Sequence, residues 1–217
     1  MKGMIVDWIA HNAHNLPEKT ASIELPSNRR LTYAEMHERV GKVASWLISL
    51  GVKPGDRVGL LALNSIDTLD IVFATWRIGA VHLALNFRLT PSELDYIIGN
   101  AEPDVLIYDQ ELTATVDALT VKVPHLVDLE GQGGESAFES AIADRQPVRE
   151  RVPPEPEDPC MLMSSSGTTG LPKGVIITHG MMLWAQFNAA SSMRCGEDMV
   201  SFTVMPLFHI GGLQVFT

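Results

Sequence analysis

The chain has 217 residues, and its 16 Lys and Arg against 26 Asp and Glu give a formal net charge of −10 at neutral pH. That balance excludes a general nucleic-acid binder, whose polyanionic partner is held by clustered basic side chains. A hydrophobic share of 46% excludes a chain too polar to build a core. Only Cys160 and Cys195 are present, without the spacing of a metal site or a disulfide framework, and Asp7 interrupts the short apolar stretch at the start. No apolar run reaches the roughly 18 residues that cross a bilayer. A cytoplasmic protein without a transmembrane segment is expected.

Short apolar runs alternate with segments of helical period, the pattern of an α/β protein with a mostly parallel sheet and helices on both faces. After Leu31 and Thr32, the positions Tyr33, Met36, Val40, Val43, Ala44, Leu47 and Leu50 mark one face of a long helix that Gly51 ends. The turn signal Pro54, Gly55, Asp56 precedes a buried strand over Val58 to Leu63. A helix from about Asp67 to Arg77, with Gly79 beyond its end, leads to a strand over Val81 to Leu85. Thr90, Pro91, Ser92 and Glu93 read as a capped helix start. Val105 to Ile107 and Leu126 to Leu129 supply two further strands. Five or so strands in such units form an open, doubly wound sheet rather than an eightfold barrel.

From Gln146 to Pro159 five prolines and several acidic residues interrupt the pattern, which marks a linker or boundary. The apolar strand Met161 to Met163 then runs into Ser164, Ser165, Ser166, Gly167, Thr168, Thr169, Gly170, Leu171, Pro172, Lys173 and Gly174. Glycines let backbone approach an anion closely, the hydroxyls supply donors, and Lys173 adds a compact positive charge, so the string has the materials of a phosphate cradle. A plain linker has no reason to follow a buried strand with this ordered set. A Walker loop is excluded, because it needs Gly before the Lys and Ser or Thr after it, whereas Pro172 and Gly174 stand there. Met181, Met182, Trp184 and Phe187 are expected as core contacts of a following helix, and His82 reads as structural.

The string, continuing into Val175, Thr178 and His179, closely resembles the phosphate-loop signature of the adenylate-forming superfamily of acyl-CoA synthetases, aryl-CoA ligases, luciferases and peptide-synthetase adenylation domains. Leu31, Thr32, Tyr33 and Glu35, the stretch Gly51 to Val58, and Arg77 to Leu89 resemble the same family. Pro206, Leu207, Phe208, His209 and Gly212 resemble the motif that precedes the acyl pocket of acyl-CoA synthetases. Two positions depart from the usual pattern: Ser164 stands where Tyr is common and Ala84 where Pro is common.

The resemblance implies an incomplete N-terminal AMP-binding domain over 1–217. It comprises an α/β portion (1–145), the Pro-rich linker (146–159), and the phosphate loop with the start of the acyl-pocket region (160–217). The family's C-terminal domain, its adenine contacts and its adenylation lysine would be absent. The implied enzyme activates a carboxylic acid with ATP and Mg2+ as an acyl-adenylate and transfers it to coenzyme A. Ser165, Ser166, Gly167, Thr168, Thr169, Gly170 and Lys173 are the expected ATP phosphate contacts, and Ser165 matches a magnesium-contacting hydroxyl. His209, Gly211 and Gly212 belong to the expected acid or adenylate pocket. A lone His beside Phe208 and Ile210 is ordinarily a core residue, but the motif favours a contact role over a general-base role. The paired glycines either leave volume for an extended, fatty or otherwise apolar acid or allow close helix packing. The chain alone is expected to be inactive and to self-associate through apolar surface exposed by truncation. Competing readings are an amino-acid-adenylating domain serving a carrier-protein thiol and a truncated, non-catalytic binding module.

Overall fold

The computed structural model describes residues 5–25, 27–130, 136–165, 172–192, 196 and 199–213. Helix α1 (Trp8–Asn15) leads to a two-stranded antiparallel ribbon of β1 (Thr20–Ile23) and β2 (Arg30–Thr32). Helix α2 (Tyr33–Ser49) begins at a capping box in which the Thr32 hydroxyl accepts from Glu35 N–H at 3.2 Å and the Glu35 carboxylate accepts from Thr32 N–H at 2.8 Å. Its apolar face is the expected one, with Met36, Val40, Val43, Ala44 and Leu47 buried, and Trp46 joins them. Gly51 takes φ +93, a left-handed conformation that glycine adopts without steric cost.

The main sheet then builds from β3 (Arg57–Leu61), α3 (Ile66–Arg77), β4 (Val81–Ala84), α4 (Pro91–Ala101), β5 (Val105–Tyr108), α5 (Thr113–Asp117), β6 (His125–Asp128) and α6 (Ala137–Ala143). Strand β7 (Pro159–Ser165) follows, then β8 (Lys173–Thr178), α7 (His179–Ser192) and the short α8 (Ile210–Leu213). The spatial order is β6-β5-β3-β4-β7-β8, parallel throughout except for the antiparallel pair β7–β8. Strands β4 and β5 are buried at every residue, as strands covered on both faces must be. Alternation sorts the side chains: Val58, Leu60, Val105 and Ile107 enter one core with α2, α3 and α6, while Leu61, Leu106 and Tyr108 enter another with Leu94, Ile97 and Ile98 of α4.

Residues 146–158 lie against this body. Val148 N–H donates to Gly41 O at 3.0 Å, and Val152 N–H donates to Arg77 O at 2.9 Å. The fully buried Arg77 guanidinium binds Asp7 at 3.0 Å and the carbonyls of His37 and Val148 at 3.1 and 3.3 Å, tying α3 to the α1 cap, α2 and this segment. A second cluster joins α2, α3 and α6: Arg39 reaches Asp70 at 2.8 Å, with Asp67 and Glu139 at 2.9 Å. Among the described residues no helix is long and apolar enough to cross a membrane.

The apolar residues after the loop differ from expectation. Met182 is buried, but Met181, Trp184 and Phe187 are 57%, 56% and 47% exposed. They ride on α7, which follows the edge strand β8, so one face of α7 meets the core through Met182 and the face bearing these three residues is about half exposed.

Candidate functional site

The sheet's strand order reverses direction between β3 and β5: β3 continues to β4 on one side, and β5 continues to β6 on the other. In open α/β sheets, ligands bind beyond the carboxyl ends of strands near such a point. Both candidate segments emerge at this edge.

Strand β7 carries the first segment. Its register with β4 sets Leu83 opposite Leu162, so Ser164 and Ser165 extend past the end of β4. Ser165 is the register partner of Lys173, and its hydroxyl donates to Lys173 O at 3.4 Å. Both residues are exposed. Ser166, Gly167, Thr168, Thr169 and Gly170 lie outside the described residues, so the structure fixes the two flanks of the expected cradle. Strand β8 was not anticipated. Its run Val175, Ile176, Ile177 carried a strand signal, but the sequence before it holds no Asn-Gly or Asp-Gly pair to signal a hairpin.

The second segment docks on the loops after β3 and β4. Asn64 holds the backbone of Met205 and Leu207, Leu207 is buried, and the Phe208 ring meets Phe87 edge-on with centroids 5.2 Å apart. His209 is exposed just before α8. Its N–H donates to Pro206 O at 3.0 Å, and its Nδ1 accepts from Gly211 N–H at 3.2 Å. An Nδ1 acceptor assigns the proton of the neutral ring to Nε2. Among the described residues no hydrogen bond joins His209 to Ser165 or Lys173; the two segments share the carboxyl edge. Asn64 and Phe87 escaped the sequence reading, and their only signal was position, directly beyond buried strands at the carboxyl edge.

The glycine pair separates. A Cβ on Gly212 would meet the carbonyl of Pro206 and, at 2.8 Å, that of Met205, so backbone packs closely there. A Cβ on Gly211 would meet the flexible end of Met205, Cε at 2.8 Å.

Other reactive groups are occupied elsewhere. Burial lowers the pKa of His82 to about 4, which keeps its ring neutral inside the sheet. Burial, with Arg151 beside it, also lowers His179 to about 4; Arg151 donates to its Nδ1 at 3.1 Å. Burial raises the Cys160 thiol to about 12, so it stays protonated and unreactive. A cavity of about 60 Å³ lined by Trp8, Phe73, Trp76, Arg77, Cys160 and His179 contains none of the expected site residues. Among the described residues no group of three or more His, Cys, Asp or Glu converges as a metal set. Ser165, a neutral hydroxyl directed at a backbone carbonyl, would give magnesium one neutral ligand, with the carboxylates and phosphate oxygens that the ion takes supplied from outside the described residues.

Comparison with known proteins decides the family: residues 9–217 match the AMP-binding enzyme family. The chain belongs to it. This AMP-binding chain is 36% identical over 210 residues to a feruloyl-CoA synthase of Amycolatopsis sp, an alignment covering 95% of this chain and 40% of that enzyme. It is 35% identical over 189 residues to a long-chain-fatty-acid–CoA ligase of Thermus thermophilus, covering 83% of this chain and 34% of the ligase. The crystal structure of ATP-bound MatB from Rhodopseudomonas palustris superposes with a TM-score of 0.86 at 29% identity, covering 99% of this chain and 42% of MatB. The chain thus spans 40% of the length of that feruloyl-CoA synthase and 34% of that ligase, and it corresponds to their amino-terminal portion.

Proposed function

We propose that this chain is the amino-terminal portion of a cytoplasmic, AMP-forming acyl-CoA synthetase acting on a fatty or otherwise apolar acid. The observation that carries the reading is the hydroxyl- and glycine-rich string between Ser165 and Lys173, entered from β7 at the carboxyl edge of a parallel sheet. In the first step a carboxylate oxygen attacks the α-phosphorus of ATP. The new P–O bond forms as the bond to the β-phosphate oxygen breaks, and pyrophosphate leaves. Two anions must approach, so the protein's part is to position them and to neutralise charge moving onto pyrophosphate. Backbone N–H groups and hydroxyls of Ser166 to Gly170, with the Lys173 ammonium, perform this by electrostatics. The segment around His209 orients the acid through its Nε2–H. In the second step the thiol of coenzyme A loses its proton, sulfur bonds to the acyl carbon, and AMP departs.

Relatives named for an aromatic and for a long-chain acid both align along most of this chain, in keeping with a machinery whose acid preference is set by pocket details such as Gly211. The short share of those relatives' length supports a further reading, that the 217-residue chain alone binds ATP weakly and forms no adenylate. The test is ATP–pyrophosphate exchange by the full-length protein carrying this sequence, across a series of acids. Lys173→Ala and Thr169→Val are expected to slow exchange, the lysine change by about 10²-fold, with the fold intact by circular dichroism. Exchange at the parent rate with saturating ATP would refute the cradle, and adenylate formed by the isolated chain would refute its inactivity.

A further inference from the structure

Asn64, in the loop after β3, directs both ends of its amide at one short segment far along the chain. Its Nδ2 donates to Met205 O at 2.9 Å, and its Oδ1 accepts from Leu207 N–H at 2.8 Å. Two opposed bonds to one stretch of backbone fix its rotation as well as its position, which a single bond does not. Downstream the segment has little room to relax. Leu207 is buried, Phe208 rests against Phe87, Pro206 O accepts from His209 N–H, and the same carbonyl fills the space a Gly212 side chain would need. We propose that Asn64 is a positioning residue: it sets where His209 stands at the carboxyl edge, acting through the backbone of Met205 to Leu207 without itself touching the acid. The acid-binding consequence rests on the proposed function; the grip on the segment does not.

Asn64 is exposed, so its replacement opens no hole in the core and the variants fold. In the 217-residue chain, Asn64→Ala is expected to speed hydrogen exchange at the Leu207 amide by about 10-fold and to shift the His209 ring resonances, with amides of α2 and β3 unchanged. Asn64→Asp, which keeps an acceptor for Leu207 N–H and loses the donor to Met205, is expected to fall between Ala and the parent. In the full-length protein, Asn64→Ala is expected to raise KM for the acid about 10-fold while KM for ATP stays within about twofold. Unchanged Leu207 exchange, or unchanged His209 resonances, in Asn64→Ala overturns the proposal. Equal loss toward acid and ATP overturns its acid-binding part. Absence of exchange activity toward every acid defeats the proposed function instead, and the two spectroscopic readouts on the shorter chain still decide the role of Asn64.

Discussion

Asp70 is completely buried, with Oδ2 held by Arg39 Nε at 2.8 Å and Oδ1 without a hydrogen-bond partner among the described residues. Burial raises its pKa, Arg39 opposes the rise, Asp67 adds to it, and the result is about 7. The guanidiniums of Arg29 and Arg39, which both oppose the rise, face the three carboxylates of Asp67, Asp70 and Glu139, and burial outweighs them. The folded chain therefore keeps a proton that the unfolded chain releases near 3.8. A raised folded pKa means that this contribution is fully present below the unfolded value and is lost as pH climbs through about 7. Asp70→Asn keeps the shape and the acceptor for Arg39 while removing the charge. Its stability relative to the parent is expected to improve between about pH 4 and pH 7, by about 1 kcal/mol per pH unit at the steepest. Urea unfolding of both proteins across that range is the measurement, and a difference independent of pH would mean that Asp70 is ionised throughout.

Two helical glycines make opposite demands. A Cβ on Gly41 in α2 would stand 2.6 Å from Pro147 Cβ and 3.0 Å from Val148 O, a rigid ring and a backbone atom. On Gly99 in α4 it would meet only Val121 Cγ2 at 3.9 Å. Gly41→Ala is expected to destabilise by about 1 kcal/mol or more, overpacking outweighing helix propensity. Gly99→Ala is expected to stabilise by about 0.5 kcal/mol. Thermal melts of the pair check the contrast, and equal shifts would remove the role of the 146–152 segment as a close-packed strap on α2. That contact also shows where the sequence stops being legible. Capping at Thr90 to Glu93, the burial period of α2, and the continuous apolar runs of β3, β4 and β5 are local signals, and they gave the elements near their observed bounds. Proline content in 146–159 reports local irregularity and carries nothing about the distant partners Gly41 and Arg77 that hold the segment. Likewise the motif around His209 was visible as residues in order, whereas its attachment to Asn64 spans 141 to 143 positions and leaves no periodic trace. The ribbon β1–β2 and helix α6 were missed because each is short, and cross-chain pairs such as Trp46 against Phe138 help to hold them.

At the scale of the whole molecule, the β8 end of the sheet presents a long open border. Edge strand β8 exposes Val175 and Ile176, α7 exposes Met181, Trp184 and Phe187, and Val200, Phe202 and Val204 are 74% exposed or more. An unpaired strand edge beside apolar surface is a template for association. The 217-residue chain is therefore expected to self-associate at micromolar concentration, and Ile176→Lys combined with Trp184→Glu is expected to shift it toward monomer in sedimentation velocity. A parent chain that sediments as a single monomeric species would defeat the expectation. The strand order has a consequence in time as well as in space. β4 is seated beside β3 early, but β5 and β6 then add to the other side of β3, and the neighbour that closes β4 is β7. Between Ala84 and Pro159 the ribosome must add about 75 residues, which takes roughly 4 to 15 s at cellular elongation rates. Throughout that interval the nascent chain carries a β4 whose hydrogen-bonding edge has no mate, so synthesis itself creates a window in which a holdase chaperone has something to bind and a stalled ribosome has something to aggregate.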